Sequence, residues 1–151
     1  MGVAYDMVRE LPRTLRTLNP GHQRGLAADD YEVVVVDNGS AVPVDRSTLP
    51  FSGTLRVERI DPAPPSPARA ANHGLAVARG DLVGLVVDGA RMASPRLLAT
   101  ARRAALLADR PVVTDVGVPL HDGAEDPAVP VHRLAASPDG EVGHRGRPRV
   151  V

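Results

Sequence analysis

Four consecutive valines, Val33–Val36, constrain the fold of this chain more than any other feature. They follow Tyr31 and Glu32 and run directly into a polar Asp-Asn-Gly-Ser stretch at 37–40. A strand with one face in water alternates apolar and polar side chains, whereas an unbroken β-branched run is typical of a strand covered on both faces. Such strands occur in parallel sheets between helices. The run therefore predicts an α/β layered domain.

Helical and extended patterns alternate along the rest of the chain. Apolar residues from Met7 to Leu18 recur at the 3.6-residue period of an amphipathic helix, which Pro12 forces to kink or to start late. Ser66-Pro67 and Ser94-Pro95 are typical helix starts. Helices are therefore predicted at 7–18, 67–79 and 95–108, and strands at 31–36, 54–60, 82–87 and 111–116.

The composition excludes several classes of function. Only 2% of the 151 residues are aromatic, so the base-stacking platforms of single-strand nucleic-acid binding are not expected. The 18 basic and 18 acidic side chains cancel, and no basic footprint calls for nucleic acid. The chain has no cysteine, which excludes disulfides and zinc–thiolate sites and fits a reducing, cytoplasmic location. No apolar stretch approaches the roughly 20 residues of a transmembrane helix.

The composition and the hydrophobic pattern of the sequence change near His121. Beyond it Gly, Pro, Asp and Arg dominate and hydrophobic periodicity fades. A chain of this length is expected to form one domain. We therefore predict a folded domain at 1–120 and an irregular or loosely ordered segment at 121–151.

Two aspartates follow predicted strands and are candidate ligand-binding residues. Asp37 ends the valine run, and Asp88 comes directly after the strand at 82–87. Ligands of open α/β sheets bind beyond the carboxyl ends of the strands, where a carboxylate can accept hydrogen bonds from a nucleobase or from ribose hydroxyls. Gly39 and its small neighbours would let a ligand approach the backbone. The alternative is that Asp37 merely belongs to a turn, because Asp, Asn and Gly all favour turns.

Three segments in order carry a family resemblance. They are YEVVVVDNGS at 31–40, NHGLAVARGD at 72–81 and LVVDGA at 85–90, with GVAYD at 2–6 preceding them. Together they resemble the nucleotide-sugar-binding half of family 2 glycosyltransferases, over roughly residues 2 to 118. The family patterns are an acidic-hydrophobic strand ending in D-N-G-S, then N-x-G with a later A-x-G-D, then a strand ending in D-x-D.

The resemblance implies a GT-A-like fold, incomplete here, with a Rossmann-like and mostly parallel sheet flanked by helices. It implies binding of a nucleoside-diphosphate sugar and transfer of the sugar, with inversion, to an unknown acceptor. Asp37 would contact the nucleobase with Tyr5 near it, and Arg69 could contact the diphosphate. Asp88 would lie near the ribose or the metal-bound diphosphate, as a ligand of Mn²⁺ or Mg²⁺.

The chain departs from the family pattern in three places. Ala90 replaces the second acid of D-x-D, which weakens the case for a divalent cation. We hypothesise that Arg91 partly replaces the metal, because a guanidinium suits phosphate oxygens; the alternative is an ordinary solvent-facing arginine. The family's first strand is expected to be almost missing before Gly2, leaving a gap in the sheet. The acceptor-binding half is also expected to be missing, so no catalytic residue is assigned.

Two other functions stay open. One is a truncated or degenerate relative that binds a nucleotide, or nothing, without catalysis. The other is a different nucleotide-binding α/β enzyme, such as a methyltransferase or dehydrogenase, but the glycine-rich G-x-G-x-x-G turn of those enzymes is absent from the sequence. An uncovered sheet edge would also invite self-association.

Overall fold

The valine run forms strand β2, Glu32–Asp37, and every one of its residues is buried. The computed structural model describes residues 1–87, 92–109 and 111–113. The other strands are β1 (Gly2–Ala4), β3 (Thr54–Arg59) and β4 (Val86–Val87). The helices are α1 (Glu10–Leu18), α2 (Ala68–Val77) and α3 (Leu97–Ala105), with single 3₁₀ turns at Ala28–Asp30 and Arg46–Thr48.

All strand pairs among the described residues are parallel, in the order β3-β2-β1-β4. Strand β2 pairs with β3 along its whole length, from Glu32 opposite Thr54 to Asp37 opposite Arg59. On its other side Ala4 of β1 stands opposite Asp37. The carboxyl ends of β1, β2 and β3 therefore meet at one edge of the sheet, called the carboxyl edge below.

Helices cover both faces of the sheet, as the unbroken valine run requires. Val33 and Val35 point to one face, where they pack with Leu11 and Leu15 of α1, and Leu98 of α3 packs against the same cluster. Val34 and Val36 point to the other face, where the buried Ala70 of α2 joins them. The α/β class predicted from the sequence is confirmed.

Helix boundaries follow from local chemistry. Helix α1 starts late, at Glu10, so that Pro12 falls in the first turn, where a missing N–H costs no helical hydrogen bond. The hydroxyl of Ser66 accepts a hydrogen bond from the Ala68 N–H at the start of α2 (3.2 Å). Helix α2 ends at Val77 rather than at Arg79, because the Arg79 N–H donates to the buried carboxylate of Glu32 (2.9 Å).

Some sequence-based predictions are wrong. The first strand is not missing: Gly2–Ala4 forms β1 in the middle of the sheet, with partners on both sides. The strand predicted at 82–87 is only Val86–Val87, because β1 is too short to pair with more of it. Helix α3 ends at Ala105, three residues early. Of the strand predicted at 111–116, residues 111–113 have no regular secondary structure, and 114–116 lie outside the described residues. The predicted segment at 121–151 lies outside the described residues.

No helix in the described part of the chain is long and apolar enough to cross a bilayer.

The packing of β2 predicts a large cost for truncating one of its buried valines. Val34 is fully buried, whereas Val42 is 68% exposed. Val34→Ala should lower the free energy of unfolding by about 2–4 kcal/mol, through lost burial and the cavity left behind. The same change at Val42 should cost less than about 0.5 kcal/mol. Urea unfolding of both variants measures the difference, and equal values would contradict the two-faced burial of β2.

Candidate functional site

The carboxyl edge brings together several residues that the sequence singled out. Tyr5 directly follows Ala4 of β1, and the Ala4 carbonyl accepts a hydrogen bond from the Asn38 N–H at the end of β2 (2.8 Å). The backbone of Tyr5 therefore lies beside the turn that begins at Asp37. Val3 pairs with both Val36 and Val87, so β4 ends at the same edge. Asp88 is the next residue in the sequence and lies outside the described residues.

The carboxylate of Asp37 is bound on both oxygens by the protein itself. One oxygen accepts from the Ser40 N–H (2.8 Å), and the other accepts from the Val44 N–H (3.2 Å) and from the Arg59 guanidinium (2.7 Å). Only 1% of Asp37 is exposed. This carboxylate therefore shapes the turn, which is the alternative role that the sequence left open. Its capacity to accept bonds from a ligand is already used.

The electrostatics of Asp37 agree with this role. Burial alone raises the pKa of Asp37, but the hydrogen bonds from Ser40, Val44 and Arg59 together outweigh it. The pKa therefore lies below its ordinary value of 3.8. Arg59 was missed by the sequence analysis. It stands opposite Asp37 in the neighbouring strand, and that register cannot be read from the sequence alone.

The turn after β2 is tightly packed and requires glycine. Gly39 has a φ of +79°, which favours glycine, and a Cβ there would lie 2.6 Å from the Cβ of Ala63. Asp6 ties the turn to β1, because its N–H donates to the Ser40 hydroxyl and its carboxylate accepts from the Ala41 N–H (3.0 and 2.8 Å). The backbone at Gly39 is thus fixed in place.

Asn38 carries the one unsatisfied polar atom of this turn among the described residues. Its side-chain amide donates to the Pro64 carbonyl through a long hydrogen bond (3.4 Å). Its Oδ1 atom is buried, and none of the described residues donates to it. A buried acceptor without a donor is costly, so a rotation of this side chain that brings Oδ1 to a donor outside the turn would be stabilising. The sequence analysis missed Asn38, because Asn in a D-N-G-S turn looks like ordinary turn chemistry.

The other predicted contacts lie around this turn. Tyr5 is 58% exposed at the end of β1. Arg69, in the first turn of α2, is exposed and donates to the Pro62 carbonyl (3.4 Å). Pro62 belongs to the loop whose Ala63 packs on Gly39 and whose Pro64 binds Asn38. The structure therefore places the predicted residues Tyr5, Asp37, Gly39 and Arg69 at the carboxyl edge.

The predicted metal ligand cannot be placed in the same way. Asp88, Ala90 and Arg91 all lie outside the described residues. Among the residues that the structure does describe, no three His, Asp or Glu side chains are close enough to hold a metal ion. A shallow groove elsewhere contains none of the predicted residues, since it lies at the opposite end of the sheet, between the end of α1 and the segment before β3.

Comparison of the chain with models of protein families, with curated proteins and with solved structures found no match. The resemblance to family 2 glycosyltransferases therefore stays a prediction.

The ion pair between Asp37 and Arg59 predicts a pH-dependent effect of removing the arginine. Because the folded-state pKa of Asp37 is lowered, its contribution to stability is present above 3.8 and is lost as pH falls through the folded value. Arg59→Gln should therefore lower the free energy of unfolding at about pH 7 much more than at about pH 3.

Urea unfolding at the two pH values measures the effect. Arg103→Gln, at an exposed position on α3, is the matched control and should show the same small change at both. An Arg59→Gln deficit that does not shrink in acid would contradict the role given to the pair.

Proposed function

We propose that the carboxyl edge binds the nucleoside diphosphate of an activated sugar, and that the chain is the donor-binding part of an inverting glycosyltransferase. In the reaction, an acceptor hydroxyl oxygen forms a bond to the anomeric carbon. The bond from that carbon to the diphosphate oxygen breaks, and the nucleoside diphosphate leaves with the electron pair. The acceptor proton passes to a base that the assigned residues do not include.

The strand order carries the proposal. From β1 the chain builds outward to β2 and β3, then crosses to the other side of β1 to form β4. The order therefore reverses between β1 and β4, and open α/β sheets bind nucleotides in the crevice at such a point, outside the carboxyl ends. Tyr5 and Asp88 follow in the sequence the two strands that flank this crevice, and the Asp37 turn lies next to Tyr5.

Asn38 is the residue best suited to contact the nucleobase. The oxygens of Asp37 already accept bonds from Ser40, Val44 and Arg59, so Asp37 acts by holding the turn in shape. The Oδ1 of Asn38, next along the chain, has no donor among the described residues. A ring N–H of uracil, thymine or guanine would supply that donor once the Asn38 side chain turns outward from its buried position. The exposed Tyr5 ring can cover the flat face of the same base.

The diphosphate would bind to cations at the same edge. Arg69 has five N–H donors, of which one is used by the Pro62 carbonyl, and its side chain is exposed. A guanidinium pairs with phosphate oxygens through two parallel hydrogen bonds. Arg91 is proposed to add a second cation, and Asp88 to bind the ribose or a Mn²⁺ or Mg²⁺ ion. A non-catalytic nucleotide-binding module is the second candidate, because Ala90 removes the second acid of D-x-D.

Binding of UDP, GDP and dTDP tests the proposal. Titration calorimetry should find at least one of them binding, and about 100-fold excess over its dissociation constant should stabilise the fold by about 2.7 kcal/mol. Asn38→Leu should weaken that binding by about tenfold or more, because the base loses its acceptor. Thr100→Leu, a polar-to-leucine change at an exposed position on α3, should leave the affinity unchanged.

The outcomes separate the candidate functions. Binding of none of the three nucleotides would overturn both the transferase and the nucleotide-binding module. Equal losses in the two leucine variants would overturn the role of Asn38 while leaving the edge as a binding site. Hydrolysis or transfer of a bound sugar, which a non-catalytic module cannot perform, distinguishes the enzyme from the module.

A further inference from the structure

The outward face of α1 carries a row of arginines. Leu11, Thr14 and Leu15 of this helix are buried against the sheet. On the side of the helix opposite the buried face, three exposed arginines recur at the spacing of one helical face: Arg9, Arg13 and Arg16. Over seven residues the row spans about 10 Å of the helix.

None of the described residues neutralises most of this charge. Arg9 pairs only loosely with Glu10, at 3.9 Å, and its side chain is 78% exposed. Arg13 and Arg16 make no ion pair or hydrogen bond with any described residue. Like charges four residues apart repel, and cations near a helix N-terminus oppose the helix dipole. Arg16, in the last turn, has the favourable sign for the dipole, but Arg9 and Arg13 do not, so the row as a whole does little to stabilise α1.

The zero net charge of the whole chain conceals this local excess. Residues 9–16, which span the row, contain three arginines and one glutamate, a net charge of +2. The net charge of the whole chain, taken alone, predicts no basic footprint. The structure shows that the positive charge is concentrated on one helix face.

The row ends in the shallow groove at the end of α1. Arg16 lines this groove together with Asn19, Phe51 and Ser52. Asn19 is committed within the protein, because its Oδ1 accepts from the Ser52 hydroxyl and its amide donates to the Pro50 carbonyl (2.9 and 3.3 Å). Phe51 is half-buried with its ring edge-on to Tyr31. An apolar surface thus adjoins an unpaired cation.

We propose that this surface, the α1 arginine face (Arg9, Arg13 and Arg16 with the groove at Phe51), binds an extended acidic segment of a partner protein. Alternate side chains of an extended peptide are roughly 6.8 Å apart on one side, close to the rise of about 6 Å between Arg9 and Arg13. Each guanidinium can then bind a carboxylate through two hydrogen bonds. An apolar side chain of the same segment occupies the groove beside Arg16 and Phe51.

Fluorescence anisotropy tests the proposal with a labelled peptide of three glutamates alternating with glycine, flanked by leucines. The full chain should bind it, and the affinity should fall as salt rises. Arg13→Glu with Arg16→Glu should weaken binding by about tenfold or more. The control, Arg79→Glu with Arg103→Glu, makes the same change of charge at exposed positions elsewhere and should bind within about twofold of the unaltered chain.

A milder pair, Arg13→Gln with Arg16→Gln, keeps the test valid if charge reversal unfolds α1, and it should also weaken binding. No binding by the unaltered chain, or equal losses in the reversal and control variants, would overturn the proposal. So would binding of phosphatidylglycerol vesicles or duplex DNA through Arg13 and Arg16 without binding of the peptide, since the partner would then be a membrane or a nucleic acid.

Discussion

The bonds that surround the Asp37 carboxylate hold the carboxyl edge together. Asp37 is the last residue of the central strand β2, and its two oxygens accept hydrogen bonds from the Ser40 and Val44 N–H groups and from Arg59 at the end of β3. One buried side chain thereby fixes the turn after β2, the start of the next loop and the end of the neighbouring strand. A buried carboxylate is tolerated only when it is paired and hydrogen-bonded, and here every oxygen is.

This arrangement divides two roles between adjacent residues. Because Asp37 is saturated by the protein, it determines where Asn38 and Gly39 stand, and Asn38 is left with a buried oxygen that has no donor among the described residues. The turn is rigid, since Gly39 packs on Ala63 and Asp6 ties Ser40 and Ala41 to β1. A rigid turn with one unsatisfied acceptor, next to the point between β1 and β4 where the strand order reverses, fits the proposed recognition of a flat base.

The sequence predicted most of what depends on local pattern. Four valines in a row predicted the doubly covered β2, the alternation at 54–60 predicted β3, and Pro12 predicted the late start of α1. Prediction from the sequence failed where contacts between residues distant in the chain determine the structure. The register that pairs Arg59 with Asp37, the limit that short β1 sets on β4, and the unsatisfied Asn38 oxygen all depend on tertiary contacts. The zero net charge likewise gave no sign of the α1 arginine face, because a total does not show where the charges lie.

Binding of a nucleoside diphosphate at the carboxyl edge is tested most directly by a two-dimensional NMR titration of the ¹⁵N-labelled chain with whichever nucleoside diphosphate binds. If the ligand binds at the carboxyl edge, its addition should shift the amide signals of the residues that meet there, Tyr5, Asn38, Gly39 and Arg69. Those of Gly21 and Ser52, at the opposite end of the sheet, should stay in place. Shifts confined to Gly21 and Ser52, with the turn after β2 unchanged, would contradict it.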